Sequence, residues 1–141
     1  MSRVFLDSNI FIYLFEGSGK LATLSGELIA RLKLREDTMV TSTMTLGEVL
    51  VKPLADNDIE VIGRYRTFFD HQSLEVIDFN QAAALEYAVI RQDRSIKAPD
   101  TIQLACASAA KCDFFVTNDD RLSRRIVSGI QAIVSLDRVP I

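Results

Sequence analysis

The sequence predicts an α/β fold, a single domain in which a five-stranded parallel sheet carries helices on both faces. Short apolar segments alternate with amphipathic segments along the chain, which is the pattern of strands joined by helices. A length of 141 residues, 48% of them hydrophobic, suits one domain with a hydrophobic core. No linker rich in glycine, serine or proline divides the sequence, so the domain is expected to cover residues 1–141.

The predicted strands are short apolar or β-branched runs bounded by polar residues. Each run is too short for a helix that could bury one face, and each is followed by a polar residue or a helix start signal. In chain order the strands are expected at Val4–Leu6, Met39–Ser42, Leu74–Ile77, Phe114–Thr117 and Ile130–Leu136.

The predicted helices are indicated by apolar residues spaced three or four apart and by their start signals. Asn80 is a suitable N-cap, and Pro99 fits the first turn of a helix. In chain order the helices are expected over about Ser8–Glu16, through Leu24, Leu28, Ile29 and Leu32, from about Thr45, over Asp56–Phe69, from Asn80 to about Asp93, from Pro99 through Ala110, and as a short helix opened by Asp119.

The composition limits the classes of protein that the chain can represent. Its net charge is −3, which counts against a module that binds nucleic acid by electrostatics alone but not against an enzyme that binds phosphate through cations. Cys106 and Cys112 have neither CxxC spacing nor a disulfide pattern, and His71 is the single histidine, so a zinc site is not expected. No segment resembles a membrane span or a leader peptide, and we expect a cytoplasmic protein that does not contact a membrane.

Four acidic residues are expected at one edge of the sheet. Asp7 ends the first strand and Asp119 follows the fourth, whereas Glu48 and Asp100 lie on helices that follow strands or begin near that edge. Because the carboxyl ends of parallel strands meet at one edge, their side chains are expected on the same side of the domain. Any one of the aspartates, taken alone, can instead be a helix cap.

Converging carboxylates need a counter-charge, because two unit charges 4 Å apart repel by about 4 kcal/mol at an effective dielectric constant near 20. Ligands that are all oxygen suit Mg²⁺ or Mn²⁺, and Mg²⁺ also accepts phosphate oxygens. Ser8, Asn9 and Thr117 are candidates for orienting these carboxylates by hydrogen bonds, and Asp120 is a further candidate ligand. The residues therefore indicate metal-assisted phosphodiester chemistry.

Four segments of the chain resemble PIN-domain nucleases, and among these the VapC-like toxins of bacterial and archaeal toxin–antitoxin pairs. The segments follow the order found in the family and span nearly the whole chain, with Ser8 where threonine is frequent. They are LDSNIFIY at Leu6–Tyr13, LGEVL at Leu46–Leu50, APDTIQLA at Ala98–Ala105, and TNDD at Thr117–Asp120.

The resemblance implies a PIN-like sheet with the first strand in the middle, the fourth beside it, and the third and fifth at the edges. It also implies cleavage of RNA with Mg²⁺ or Mn²⁺, a cognate antitoxin protein that inhibits the enzyme, and a homodimer. The roles of catalytic and metal-binding acids carry over to Asp7, Glu48, Asp100 and Asp119.

Three other classes share parts of this pattern. A receiver domain needs an acid pair after the first strand and a late lysine, but no lysine follows Lys111. A phosphatase of the haloacid-dehalogenase type needs an acid at the position of Asn9. A non-catalytic interaction module remains open, and RNA cleavage that an acid substitution abolishes would separate it from an enzyme.

Basic clusters and apolar helix faces suggest contacts with partners. Two basic clusters are either solvated helix faces or a track for the RNA backbone, namely Arg31, Lys33 and Arg35, and Arg121, Arg124 and Arg125. The homodimer is expected to use apolar faces containing Leu24, Leu28 and Leu32, or Ile59, Ile62, Tyr65 and Phe69.

Overall fold

The computed structural model describes residues 1–141 and contains one sheet of five strands, all parallel. The strand order is β3-β2-β1-β4-β5, which confirms the predicted central position of the first strand. The strands are β1 (Arg3–Leu6), β2 (Thr38–Ser42), β3 (Leu74–Ile77), β4 (Phe114–Thr117) and β5 (Ala132–Ser135).

Six α-helices connect or flank these strands, and a single 3₁₀ turn follows β5. Polar residues at strand ends cap several of them: the Ser42 side chain accepts a hydrogen bond from the Thr45 amide, and Asn80 accepts one from the Ala83 amide. The helices are α1 (Ser8–Glu16), α2 (Lys20–Leu34), α3 (Thr43–Ala55), α4 (Ile59–Asp70), α5 (Gln81–Ile90) and α6 (Ala98–Ala109).

The core has two parts, one on each face of the sheet, because side chains alternate along a strand. Val4 and Leu6 of β1 pack with α1, α2 and α4, whereas Phe5 points the other way and packs with α5 and α6. The rings of Phe5 and Phe115 stack with centroids 5.0 Å apart across the β1–β4 pair. The predicted arrangement of helices on both faces is therefore confirmed.

The prediction of a short helix opened by Asp119 was wrong. Residues 119–124 form turns, in which the Asp119 carboxylate accepts a hydrogen bond from the Arg121 amide and Arg124 has a φ of 78°. A left-handed residue prevents propagation of a right-handed helix. Similarly, α4 begins at Ile59 and not at Asp56, because Asn57, with a φ of 52°, separates it from α3. The fifth strand and the fifth helix are shorter at their ends than predicted.

Several residues of the two apolar faces expected to form a homodimer are used inside the chain. Leu28, Leu32 and Tyr65 have no exposed surface, and Phe69 is 6% exposed, whereas Ile59 is 80% exposed. The buried side chains are needed for the core between the sheet and its helices. Other large apolar residues that stay exposed include Val51 and Leu54 on α3, and Leu85 and Val89 on α5. None of the helices combines the length and apolar character that a membrane span requires.

Candidate active site

The acid that ends β1 lies at the centre of the carboxyl edge of the sheet. Asp7 caps α1, and its carboxylate accepts hydrogen bonds from the Ser8 amide at 2.8 Å and from the Thr117 hydroxyl at 2.8 Å. The pairing of Leu6 with Val116 places Asp7 beside Thr117 at the ends of adjacent parallel strands. The contact therefore follows from strand register, as the sequence analysis anticipated for Thr117.

Asp7 is a buried carboxyl group, with 8% of its surface exposed. The pKa of Asp7 is raised to about 6, chiefly by burial and also by the charges of Asp100 and Glu48, whereas the hydrogen bonds from Thr117 and Ser8 act to lower it. A carboxylate with a raised pKa at a sheet edge is the kind of group that a bound cation stabilises.

Glu48 reaches the same edge from α3. Its Oε1 atom accepts hydrogen bonds from the Ser8 hydroxyl at 2.6 Å and from the Gln103 amide nitrogen at 3.2 Å. The residue is exposed overall, although its neighbour Val49 is in the core. Val49 therefore faces the core, whereas the Glu48 carboxylate is held by polar side chains.

Asp100 lies in the first turn of α6, directly after Pro99, and is half-buried. Burial raises the pKa of Asp100, and the nearby charge of Asp119 raises it further, whereas the Arg121 guanidinium lowers it. Asp100 and Asp119 are therefore close enough for the charge of Asp119 to repel the Asp100 carboxylate. The side chain accepts no hydrogen bond from another group of the chain.

Asp119 is paired with a cation of its own chain. Its carboxylate accepts hydrogen bonds from the Arg121 side chain at 3.1 Å and 2.8 Å, and from the Arg121 amide at 3.0 Å. The side-chain hydrogen bond from Arg121 holds the pKa of Asp119 below its usual value. This acid is therefore already paired with a cation, in contrast to Asp7 and Asp100.

Asn9, another polar residue expected to support the acids, forms a small network with Thr117. The Asn9 side-chain amide donates to the Thr117 hydroxyl oxygen at 3.4 Å, and its carbonyl oxygen accepts from the Asn118 amide at 3.3 Å. The Thr117 oxygen also accepts from the Asp119 amide at 3.1 Å. Hydrogen bonds therefore connect α1 to the loop that carries Asp119.

The acids fit a weakly enclosed ion better than a closed cage. No group of three or more histidine, cysteine or acidic side chains is arranged so that it could hold one ion as it stands. Mg²⁺ is usually held by one or two carboxylates together with water, and the donors here are oxygens only. The donor chemistry thus suits Mg²⁺ or Mn²⁺, with rearrangement of Asp119 needed before it could join.

Three further acids near strand ends lie outside this group. Asp78 follows β3 and Asp137 follows β5, the two edge strands, and the Asp137 carboxylate accepts a hydrogen bond from Ser135 at 2.7 Å. Asp120 is exposed and lines a polar cavity beside the site, which also contains Arg124 and Arg138. Sheet order, which residue type alone does not reveal, separates Asp78 and Asp137 from Asp7.

The sequence analysis missed Gln103 as a site residue, although it lies in the quoted segment on α6. Gln103 is 2% exposed and contacts side chains from α1, β2 and α3. The available signal was its position three residues after Asp100, which places both on the same face of the helix. A glutamine among apolar residues would otherwise be expected to avoid full burial.

The structure defines a class of α/β domain in which acidic residues lie at the carboxyl edge of a parallel sheet, and the family comparison agrees with this fold. The model of the PIN domain family matches residues 4–126, and the chain belongs to this family. None of the curated proteins is significantly similar to the chain in sequence.

Several solved structures share the fold at low sequence identity. VapBC2 from Rickettsia felis, bound to a promoter DNA fragment, has a TM-score of 0.75 and 19% identity, covering 94% of this chain and 98% of that one. A toxin–antitoxin complex from Klebsiella pneumoniae has a TM-score of 0.64 and 22% identity, covering 90% and 94%. VapC20 from Mycobacterium tuberculosis, a toxin that cleaves the sarcin–ricin loop, has a TM-score of 0.64 and 13% identity, covering 84% and 92%.

Proposed function

We propose that this PIN-domain protein is a divalent-metal-dependent endoribonuclease and the toxin of a toxin–antitoxin pair. The observation that carries the proposal is the grouping of Asp7, Glu48 and Asp100 at one edge of the sheet, where the charges of Glu48 and Asp100 raise the pKa of Asp7 and the charge of Glu48 also raises the pKa of Asp100. Such mutual repulsion is relieved by a cation. Family membership favours this activity over the receiver and phosphatase alternatives.

Asp7, Glu48 and Asp100 would hold Mg²⁺ or Mn²⁺, and Asp119 would join after release from Arg121. The bound metal supplies an attacking water of lowered pKa and stabilises charge on phosphate oxygens. The chain's own residues keep the acids in place: Thr117 and the Ser8 amide hold Asp7, whereas the Ser8 hydroxyl holds Glu48. Catalysis is therefore proposed to depend on the acids and on these hydrogen bonds.

RNA is the proposed substrate, and a few basic residues beside the site are free to contact its backbone. Arg121 and Arg125 are paired with Asp119 and Asp93, whereas Arg124 and Arg138 form no ion pair and line the same polar cavity of about 190 Å³. In the basic cluster on α2, Arg31 binds the carbonyl of Ile141, and Arg35, just past the helix end, pairs with Asp37. Phosphate contacts of Arg124 and Arg138 would orient RNA without reading its sequence.

The toxin role is supported by similar folds in toxin–antitoxin complexes. The contact between Arg121 and Asp119 shows that a guanidinium can bind an acid of the site, and a basic side chain of an antitoxin could do the same. A homodimer remains part of the proposal, with its interface on surfaces other than the buried faces of α2 and α4. Expression alone should slow growth, and co-expression of the partner encoded beside it should relieve the effect.

The direct test is cleavage of a defined RNA by purified protein with Mg²⁺, with Mn²⁺ and with EDTA. We expect cleavage only with a divalent cation, and loss of cleavage in Asp7→Asn, with Asp78→Asn as the matched control. Cleavage that persists in EDTA would refute metal dependence. An intact growth rate on expression of a protein that cleaves RNA in vitro would refute the toxin role and leave the nuclease.

A further inference from the structure

Gln103 is a buried amide in the second turn of α6, three residues after Asp100, and its side chain lies between three elements of the site. Its nitrogen donates to the Thr45 hydroxyl at 2.6 Å and to Oε1 of Glu48 at 3.2 Å, with the Ser8 hydroxyl at 3.4 Å. Its oxygen accepts a hydrogen bond from the Ser42 hydroxyl. With 2% of its surface exposed, it has essentially no water to bind instead.

The orientation of this amide is determined by its partners. The Ser42 oxygen accepts from the Thr45 backbone amide in capping α3, so its hydroxyl hydrogen is available to the Gln103 oxygen. A reversed amide would place two acceptors, the Gln103 oxygen and the Glu48 carboxylate, against each other. The nitrogen must therefore face Glu48.

We propose that Gln103 is a positioning residue that holds the Glu48 carboxylate ready for a divalent cation. This inference rests on the proposed function and adds a residue to its machinery. Gln103 does not touch the reacting atoms, and it acts through Glu48.

The physical reason lies in the exposure and length of Glu48. An exposed glutamate loses side-chain rotamer entropy when it is held in one conformation, and that cost must be offset by contacts. Ser8 and Gln103 both donate to Oε1, and Oε2 of Glu48 accepts no hydrogen bond from the chain. One carboxylate oxygen is thus anchored, and the other stays available to an ion. Supporting groups that orient metal ligands typically change metal affinity or activity by about 10-fold to 100-fold when they are removed.

The test compares Gln103→Met, which keeps the side-chain volume but removes the amide, with Ser108→Ala as the matched control. Ser108 is also buried on α6, but its hydroxyl bonds to Glu86 and to the Ser128 carbonyl, neither of which belongs to the candidate site. For each protein, the dissociation constant of Mn²⁺ is measured by titration calorimetry without RNA, and stability is measured by urea unfolding. Cleavage is then measured at saturating Mn²⁺.

We expect Gln103→Met to bind Mn²⁺ about tenfold or more weakly, and Ser108→Ala to bind it as the wild type does even if both are similarly destabilised. The Gln103→Met change should have much less effect in a Glu48→Gln background, because the two residues act as one unit. Wild-type Mn²⁺ affinity in Gln103→Met would overturn the positioning role. An equal loss with and without Glu48 would overturn it as well.

A second variant guards against misfolding caused by the orphaned Thr45 hydroxyl. Thr45→Val combined with Gln103→Met replaces both partners with apolar groups of similar shape, which is often close to neutral for stability. The same loss of Mn²⁺ affinity is expected, and wild-type affinity in this folded double variant would overturn the inference. If the wild type itself neither binds Mn²⁺ nor cleaves RNA, the proposed function fails and this inference fails with it.

Discussion

The two sides of the acidic site are built differently. On the inner side, Asp7 and Glu48 accept hydrogen bonds from neutral groups only, namely the Ser8 amide and hydroxyl, Thr117 and Gln103. On the outer side, Asp100 accepts no hydrogen bond from the chain, and Asp119 is neutralised by Arg121 in a turn whose residues are partly exposed. Neutral donors orient a carboxylate without cancelling its charge, whereas the guanidinium cancels it.

The difference indicates that the inner side is preorganised and the outer side is not. Asp7 directly follows β1, the central strand of the sheet, and Glu48 lies on α3. The groups that hold these two acids are mostly buried. Asp119 must be released from the Arg121 guanidinium before it can act as a metal ligand. We therefore expect the inner side to bind the first ion, and the outer side to respond to substrate or partner.

The largest expected effect is loss of cleavage when an acid of either side is replaced by its amide. The cleavage rate should fall about a hundredfold or more in each of four variants: Asp7→Asn, Glu48→Gln, Asp100→Asn and Asp119→Asn. This loss corresponds to about 3 kcal/mol of charge stabilisation. Rates are measured on one RNA, with folding checked by circular dichroism. Asp78→Asn and Asp137→Asn are the controls, and both should remain within a few-fold of the wild type. An Asp100→Asn variant with near wild-type rate would limit the site to its inner side.

The next effect concerns stability of the metal-free protein against pH. The pKa of Asp7 is raised to about 6 by burial, so the folded state binds the proton more tightly than the unfolded chain does. The resulting stability is fully present below the unfolded pKa and is lost as the pH rises through about 6. Between pH 4.5 and pH 7.5, Asp7 should lower the free energy of unfolding by about 2 kcal/mol.

Urea unfolding of the metal-free protein at pH 4.5 and pH 7.5 tests this effect, because a pKa difference of one unit corresponds to ~1.4 kcal/mol. Asp7→Asn should be more stable relative to the wild type at the higher pH, although it is inactive. A difference between the two proteins that does not change with pH would mean that Asp7 is not strained by burial of its charge.

A smaller effect is expected on the outer side from Arg121→Gln. The Arg121 side chain is 64% exposed, and solvent screening keeps an exposed ion pair weak. Its removal should free Asp119 and lower the Mg²⁺ concentration for half-maximal cleavage by up to about fivefold. Arg64→Gln, which removes an exposed pair with Glu60 on α4, is the control. An increase in the Mg²⁺ requirement would show instead that Arg121 helps to build the site.

The smallest effect is expected at the polar cavity beyond the outer side. If Arg124 and Arg138 contact RNA phosphates, replacing either by glutamine should weaken binding of different RNA sequences uniformly and reduce the slope of log Kd against log salt by about 1. Binding is measured with the inactive Asp7→Asn protein over a range of salt concentrations. Arg66→Gln, an exposed arginine on α4 with no ion pair, is the control. An unchanged slope in both cavity variants would place the RNA elsewhere.

Much of the fold was predictable because apolar periodicity and polar end signals are local. The five strands and six α-helices follow from short-range patterns, and Asn80 and Pro99 mark helix starts as expected. The short helix after Asp119 failed because Arg121 binds Asp119 and Arg124 adopts a left-handed conformation. Residue types alone do not reveal such a turn. The use of the apolar faces of α2 and α4 could not be predicted, because periodicity shows that a face is apolar, but not what covers it.

The sequence by itself predicted the candidate acids, because Asp7, Glu48, Asp100 and Asp119 stand at strand ends or on helices that parallel topology brings to one edge. Only the tertiary structure decided how each acid is held. Gln103 reaches Glu48 across 55 positions of the chain, and Thr117 reaches Asp7 across 110. Hydrogen bonds act over about 3 Å whatever the separation along the chain. The folded arrangement therefore decides which carboxylates are held by neutral donors and which are paired with a cation.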